Sequence, residues 1–279
     1  VLEFDGNNWR IYPLPGEIVV RCVKATEDHR IYTGGFNEFG YLAPDDMGKL
    51  KYRSLTGLLP ENKRDFGEIW RIYNLPVGIV FQSYEQLIIY KNEKIKIVEA
   101  PDLFHFSFLV NNDLYINDQT NGLYRLANDQ LIKIPGLEKL AGQLIWAMLP
   151  KGEKILIATD DNGIFEFDGL ELHEWKNPTS EFLKKNQAYT GIAVDKKTFA
   201  FGSIQNGLII CDTAGNILQH INIQNGLQNN TVLSLKMDQY KNLWVGLDNG
   251  IDYVEINSPL SYFSEYNGLS TGYAAKLHN

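Results

Sequence analysis

The chain has 279 residues, of which 44% are hydrophobic and 12% aromatic, so it can bury a sizeable core and does not have the composition of a disordered segment. The formal net charge is −8 and Lys and Arg form no cluster, which argues against nucleic acid or an anionic membrane surface as a partner. The longest apolar runs are only as long as a strand, so no membrane insertion is expected. Cys22 and Cys211 lie in apolar strands without metal-ligand spacing, and we expect buried thiols.

The N-terminus begins within a strand pattern, at Val1-Leu2-Glu3-Phe4, and a second short strand follows at Trp9–Leu14. The run Val1–Gly6 matches Ile164–Gly169 almost residue for residue, which makes it one copy of an internal repeat. A start in the middle of a repeat predicts that the sequence is a piece of a longer protein.

Further along the chain, the same pattern of four short strands separated by polar turns returns at a period of about 40 to 45 residues. The position before each third strand is a glycine or its equivalent: Gly40, Gln86, Gly122, Gly163, Gly207 and Gly250. Period-two alternation broken by Asn, Asp and Gly is typical of antiparallel strands joined by hairpins.

These repeats predict one all-β domain over residues 1–279, a seven-bladed β-propeller of four-stranded antiparallel blades. One small sheet cannot bury both faces alone, so each blade stacks on its neighbours. We expect the N-terminal strands and Tyr273–Asn279 to share the seventh blade. Its second strand is missing from the sequence, so closure is expected to be incomplete.

Three segments depart from the repeat. The first repeat carries the insertion Pro44–Glu68, whose Pro60–Phe66 part is expected to form a short polar turn. The second repeat lacks the Asx-Gly turn between its middle strands. Between the fourth and fifth repeats, Glu181–Asn186 is expected to form a helical turn with Ser180 as its cap.

The best-preserved repeat is Asn242-Leu243-Trp244-Val245-Gly246-Leu247-Asp248-Asn249-Gly250-Ile251, preceded by Asn225-Gly226-Leu227. With Glu38–Leu42 and Asp65–Trp70, it resembles the propeller repeats of bacterial two-component regulators, in particular periplasmic sensors of Bacteroidetes. In the branch that it is most similar to, a tyrosine-rich β-sandwich, a membrane helix and a cytoplasmic output module follow the propeller.

The resemblance implies a non-catalytic, periplasmic sensor domain of a membrane-anchored two-component or transcriptional regulator. Related sensors detect glycans or their breakdown products, so a carbohydrate or other polar small ligand is the implied partner. Contacts with neighbouring domains and a homodimer are further partners that it leaves open. One alternative is a propeller that holds a neighbouring domain or dimer partner and binds no small ligand.

No catalytic constellation is visible, and neither a cofactor nor a metal is expected. Five histidines are scattered, and no nucleophile or zinc motif occurs. The paired carboxylates Asp45-Asp46 and Asp160-Asp161 are typical of turns, although a polysaccharide lyase or glycosidase remains the third and least favoured hypothesis. Trp244 is expected to pack between blades.

Ligands of propellers are expected at the mouth of the central channel, on loops between blades and between middle strands. Such loops offer amides, one aromatic side chain and paired charges, which suit a sugar. The candidate ligand-binding residues are Arg64, Asp65, Glu68, His105, Gln143, Gln187, Tyr189, Asn229 and Asn230. The alternative is that these side chains only hydrate the end of the channel.

Overall fold

Alternating apolar and polar side chains form short antiparallel strands throughout the described part of a computed structural model, which comprises residues 1–256 and residue 258. These residues divide into two compact units, Val1–Leu144 and the chain from Ile145 onward. The prediction of an all-β fold built from four-stranded antiparallel blades is confirmed.

The first unit holds a two-stranded sheet, β1-β2, and three four-stranded sheets, β3 to β6, β7 to β10 and β11 to β14. Its strands are β1 Leu2–Phe4, β2 Trp9–Ile11, β3 Cys22–Ala25, β4 Ile31–Gly35, β5 Glu38–Pro44, β6 Leu50–Ser54, β7 Arg71–Leu75, β8 Gly78–Gln82, β9 Gln86–Lys91, β10 Lys94–Glu99, β11 Phe104–Val110, β12 Asp113–Asp118, β13 Gly122–Ala127 and β14 Gln130–Lys133. Short 3-10 turns lie at Pro15–Glu17, Thr56–Leu58, Glu61–Lys63 and Glu138–Leu140.

The second unit holds two four-stranded sheets and a sheet of three described strands, β23 to β25. Its elements are β15 Ile145–Lys151, β16 Lys154–Thr159, β17 Ile164–Phe167, β18 Leu172–Glu174, helix α1 Pro178–Asn186, β19 Ala188–Ala193, β20 Thr198–Ser203, β21 Leu208–Asp212, β22 Ile217–Ile221, β23 Val232–Met237, β24 Leu243–Leu247 and β25 Ile251–Val254. The predicted fourth strand of this last sheet, Leu260–Phe263, lies outside the described residues.

The prediction of seven blades is wrong, because the residues that the structure describes form six. In the described residues, β1 and β2 pair only with each other and form a hairpin rather than part of a blade. The likeness of Val1–Gly6 to Ile164–Gly169 reflects a shared turn: Asp5 and Asp168 each accept backbone N–H groups two and three residues further on. The predicted contribution of Tyr273–Asn279 lies outside the described residues.

Successive blades lie against each other through their first strands and bury apolar faces between them. In the first unit β3 contacts β7 and β7 contacts β11; in the second, β15 contacts β19 and β19 contacts β23. The core between the first two blades contains Phe39, Phe81 and Ile69, all fully buried. This packing positions the beginning of each first strand, where the candidate site lies.

The connection before β19 is helical, as predicted, but its cap is different. Helix α1 begins after Asn177, whose side-chain Oδ1 accepts the backbone N–H of Ser180 at 3.0 Å. The Ser180 hydroxyl instead accepts the backbone N–H of Ile164 at 2.9 Å. The side chain therefore ties the helix to the preceding blade, and Asn177 is the N-cap.

Trp244 is 39% exposed and tilted against Tyr253, so the prediction that it packs between blades is not met in the described residues. It lies on the face of β24 opposite Leu243 and Val245, which are fully buried. The alternation of the strand predicted correctly that Trp244 and its two neighbours lie on opposite faces, but Trp244 lies on the exposed face.

Candidate functional site

Four of the first strands have one extra residue near their beginning. In the second unit, the pairing of β15, β19 and β23 with their neighbours shifts by one residue at Trp146, Tyr189 and Leu233. In the first unit, β11 has the same shift between Phe104 and Ser107. Such bulges redirect side chains and are frequent next to binding sites.

The first two blades have an equivalent arrangement at the strand boundary. The backbone N–H of Arg21 donates to the carbonyl oxygen of Gly34 at 2.9 Å, although Cys22 is the strand partner of Gly34. In the second blade, the N–H of Trp70 donates to the carbonyl of Gln82 at 2.8 Å. The residues at these two positions, Arg21 and Trp70, have a charged and an aromatic side chain.

Five side chains of the first unit meet there, and we call them the Trp70 cluster: Arg21, Glu68, Trp70, Tyr84 and Phe106. The Trp70 ring stacks on Tyr84 with centroids 5.3 Å apart and meets the edge of Phe106 at 5.9 Å. The Arg21 guanidinium lies 5.4 Å over the Trp70 ring and 3.0 Å from Glu68 Oε1.

Glu68 is positioned by the end of the insertion, through Asn37. The Asn37 carbonyl oxygen Oδ1 accepts the backbone N–H groups of Phe66 and Gly67 at 2.9 and 2.7 Å, and its Nδ2 donates to Asp65. Glu68 then forms a β-bridge with Phe36. Asp65, a predicted ligand residue, therefore takes part in holding the loop.

Arg64, the other charged candidate in this loop, also contacts its own backbone. Its guanidinium donates to the carbonyl oxygens of Leu59 and Gly57 at 3.0 and 3.2 Å. Of the three candidates Arg64, Asp65 and Glu68, the structure brings only Glu68 into the Trp70 cluster.

Tyr84 reaches Trp70 because the second blade has an irregular turn. The Ser83 hydroxyl accepts the backbone N–H groups of Glu85 and Gln86 at 3.2 and 3.1 Å. It replaces the Asx-Gly turn of other blades and places Tyr84 at the tip of the turn. The sequence showed the missing turn, but it gave no sign that Tyr84 would stack on Trp70.

A buried polar network lies beside Phe106. Gln82 donates from Nε2 to the His105 carbonyl at 2.8 Å and accepts the Ser107 hydroxyl at 2.9 Å. The Tyr73 hydroxyl donates to the Ser107 carbonyl at 2.5 Å, and burial raises the pKa of Tyr73. His105, a predicted ligand residue, is itself buried next to the Phe106 ring.

Three buried polar atoms at the beginnings of first strands have no hydrogen-bond partner among the described residues: Glu68 Oε2, Trp70 Nε1 and Gln143 Oε1. The Gln143 amide nitrogen donates to the Lys139 carbonyl at 2.7 Å. Unpaired buried polar groups are rare in folded proteins, and each needs an explanation.

In the second unit, Trp146 stacks on Tyr189 with ring centroids 4.4 Å apart and planes 28° from parallel. Tyr189 was a candidate residue and Trp146 was not, although Trp146, like Trp70, lies at the beginning of a first strand. The repeated aromatic residue at this position was the available signal.

The other candidates of the second unit contact nearby polypeptide. Gln187 accepts the Gln205 side-chain amide at 3.2 Å. Asn229 Oδ1 accepts the backbone N–H of Thr231 at 2.7 Å, and Asn230 Oδ1 accepts that of Ile223 at 3.0 Å. These three amides therefore shape the loops between blades.

The thiols and histidines do not form a reactive group in the part of the chain described. Burial raises the pKa of Cys22 to about 12 and that of Cys211 to about 11, which disfavours thiolate chemistry. His220 Nε2 lies 2.8 Å from the Asn206 carbonyl oxygen. Across residues 1–256 and 258, no three His, Cys, Asp or Glu side chains are grouped so as to hold a metal ion.

None of the helices within the described residues has the length and apolar character needed to cross a membrane.

Residues 226–249 match the family model described as "Two component regulator propeller". No curated protein sequence was found to match the chain.

Several solved structures share the fold. One is the extracellular domain assigned to a hybrid two component system of B. thetaiotaomicron, with 19% identity, a TM-score of 0.69 and coverage of 92% of this chain and 35% of that one. Another is virginiamycin B lyase from Staphylococcus aureus, with 18% identity, a TM-score of 0.65 and coverage of 88% and 83%. A third is the WD40 β-propeller domain of Doa1, with 13% identity, a TM-score of 0.63 and coverage of 86% and 79%.

This chain spans about a third of the length of the B. thetaiotaomicron domain, 35%. At these identities the likenesses establish the fold. The described residues form six blades of a β-propeller fold, and residues 226–249 match a two-component regulator propeller repeat.

Proposed function

We propose that this chain is a non-catalytic recognition propeller in the extracytoplasmic, periplasmic part of a two-component or transcriptional regulator. The observation that carries the proposal is the regulator propeller repeat at residues 226–249. The likeness over 92% of the chain to an extracellular domain assigned to a two component system supports it. The signal would pass to neighbouring domains of the same regulator, a tyrosine-rich sandwich among them.

Catalysis is disfavoured by the chemistry of the described side chains, although some propellers of similar fold are lyases. The inactive form of the S. aureus lyase carries a histidine-to-alanine substitution. Here His105 is buried and His220 lies against a backbone carbonyl. His173 lies on an exposed strand, 3.7 Å from the carboxylates of Asp168 and Glu171.

We further propose that the ligand is a polar, glycan-derived molecule bound where the first strands begin. Half-buried aromatic rings occur there in both units: Trp70 with Glu68 close by in the first, and Tyr189 stacked on Trp146 in the second. Apolar rings combined with a few polar groups are typical of small-molecule sites.

Thermal denaturation of the protein with a panel of neutral and acidic mono- and oligosaccharides tests this function. A sugar present at a hundred times its Kd should raise the Tm by about 5 to 10 °C, because only the folded state binds it. No increase with any member of a broad panel would contradict ligand recognition and favour a scaffold that only holds neighbouring domains.

A further inference from the structure

We infer that Glu68 and Trp70 form a subsite for the hydroxyl groups of a neutral polyhydroxy ligand, and that Arg21 is the side chain that moves to admit it. The inference rests on the proposed function, since it assigns residues to the ligand contact which that function requires. It concerns only side chains of the first unit.

The starting observation is a pair of unsatisfied atoms two residues apart. Glu68 Oε2 and Trp70 Nε1 are buried, and neither has a hydrogen-bond partner among residues 1–256 and 258. A buried donor or acceptor without a partner destabilises the folded state, because it has lost its bond to water. Two such atoms two residues apart call for an explanation, and a bound polar ligand would supply one.

The two side chains point to the same side of the backbone. Glu68 forms a β-bridge with Phe36, and the N–H of Trp70 bonds the carbonyl of Gln82, so the segment is extended. In an extended chain, residues two apart face the same side. Their common contact with Arg21, 3.0 Å from Glu68 Oε1 and 5.4 Å over the Trp70 ring, agrees with this.

The chemistry of the two atoms selects the ligand group. An ionised carboxylate only accepts hydrogen bonds, and an indole N–H only donates one. A hydroxyl group can donate to Glu68 and accept from Trp70, and two adjacent sugar hydroxyls can share these roles. An ammonium group could satisfy only Glu68. A carboxylate could satisfy only Trp70 and would be repelled by Glu68.

The ion pair between Arg21 and Glu68 can be broken at little cost. Its side chain is 41% exposed and that of Glu68 is 20% exposed, and ion pairs near the surface contribute little to stability. Movement of Arg21 would open the space beside the Glu68 carboxylate and over the Trp70 ring. Arg21 is therefore a cover of the subsite and not its main ligand contact.

The test uses the indole N–H signals of the ¹⁵N-labelled protein, which has five tryptophans, with the Trp70 signal assigned from Trp70→Phe. The probes are glucose, galactose, mannose and xylose and their β-linked disaccharides, with glucuronate and glucosamine as charged counterparts. A neutral sugar that raises the Tm should move the Trp70 signal and leave that of Trp9, which lies on the N-terminal hairpin, in place.

Variants then separate the three roles. Glu68→Gln and Trp70→Phe should weaken binding of that sugar at least tenfold, and the control Trp9→Phe should not change it. Arg21→Ala should leave the affinity unchanged or raise it, because the cover is removed.

The outcomes distinguish this inference from the proposed function. If a sugar raises the Tm but leaves the Trp70 signal in place and binds both variants as tightly as the natural sequence, the subsite is wrong and sugar recognition stands. A stronger response to glucuronate or glucosamine, or a tenfold loss in Arg21→Ala, also overturns the assignment. If no sugar raises the Tm, the proposed function fails, and the subsite fails with it.

Discussion

The second and sixth blades use the side chains of their turns in opposite ways. In the sixth blade, Asp238 accepts the backbone N–H groups of Tyr240 and Asn242 at 2.8 and 2.9 Å and the Tyr253 hydroxyl at 2.9 Å. In the second blade, the turn after β8 is held by the Ser83 hydroxyl, which leaves Tyr84 to stack on Trp70. In the regular sixth blade, the polar side chain of the turn forms hydrogen bonds with the backbone of its own turn. In the irregular second blade, the turn places an aromatic side chain against the beginning of a first strand.

The comparison explains why the clearest repeat is a poor guide to the site. Residues 226–249 match the regulator model, and in this stretch Asp238 accepts the backbone N–H groups of its own turn. A position that the fold already uses is not available for recognition. Positions where the repeats differ, such as Glu68 and Tyr84, are the ones that can specify a ligand.

The largest expected effect lies in the packing that both blades need. Phe81 of the second blade is fully buried, 4.8 Å from the Phe39 ring, and Phe81→Ala should lower the free energy of unfolding by about 3–5 kcal/mol. Val245→Ala at a fully buried position of the sixth blade should cost about 2 kcal/mol, since it deletes two methyl groups. Denaturant unfolding measures both, and a larger loss for Val245→Ala would contradict this ranking.

Turn glycines should separate regular blades from the second blade. Gly207 has a φ of 76°, and a Cβ there would lie 2.2 Å from the Ile221 carbonyl oxygen. Gly207→Ala should therefore lower the free energy of unfolding by about 1–3 kcal/mol, the usual range for a strained backbone.

Gln86 occupies the equivalent position in the second blade and begins a regular strand. Gln86→Gly introduces no strained φ, so it should cost about 0.5–1 kcal/mol for the entropy of an added glycine, together with the lost packing of a side chain that is 4% exposed. Urea midpoints compare Gln86→Gly with Gln86→Ala, which loses nearly the same packing; a difference between them larger than about 1 kcal/mol would mean that the second turn is as constrained as the others.

Much of the fold could be predicted because backbone requirements repeat. Glycine at Gly163, Gly207 and Gly250 has a positive φ in each case, and the period between these residues identified the blades. The blade number failed at the N-terminus, where Asp5 and Asp168 form the same turn in two different settings. A turn motif reports local backbone geometry, and it does not report how many strands join a sheet.

The site was predicted only in part, because its contacts join side chains that are distant in sequence. Of the predicted residues, Glu68 and Tyr189 lie beside stacked aromatic residues, and their role in binding stays a prediction. Nothing local predicted that Arg21 would cover Glu68 across 47 residues, or that Asn37 would hold the loop before it. Amides such as Asn229 look alike in sequence whether they bind a ligand or close a turn.

Helix α1, in the connection before β19, is an irregular segment of the second unit. Asn177→Ala removes the side-chain acceptor of the Ser180 N–H and should cost about 1 kcal/mol, the usual value of an N-cap. Lys176→Ala, at a neighbouring side chain that is 80% exposed, is the control and should leave the midpoint unchanged. Circular dichroism during urea unfolding measures both, and equal midpoints would mean that packing alone holds α1.

The smallest effect expected is a dependence on acid that the regular blades have and the second blade lacks. The Asn242 backbone N–H and other donors hold the pKa of Asp238 below its ordinary value of 3.8, and the side-chain and backbone N–H groups of Asn216 do the same for Asp212. Because the folded-state pKa is the lower one, this stabilisation is fully present above about pH 4 and is lost as the pH falls through the folded-state pKa.

The second blade has no aspartate between Arg71 and Glu99, so no aspartate of that blade contributes to this loss of stability in acid. Asp238→Asn and Asp212→Asn should each flatten the fall in unfolding free energy below pH 4, whereas Ser83→Ala should lower stability equally at every pH. An unchanged acid slope in both aspartate variants would show that other carboxylates cause the loss.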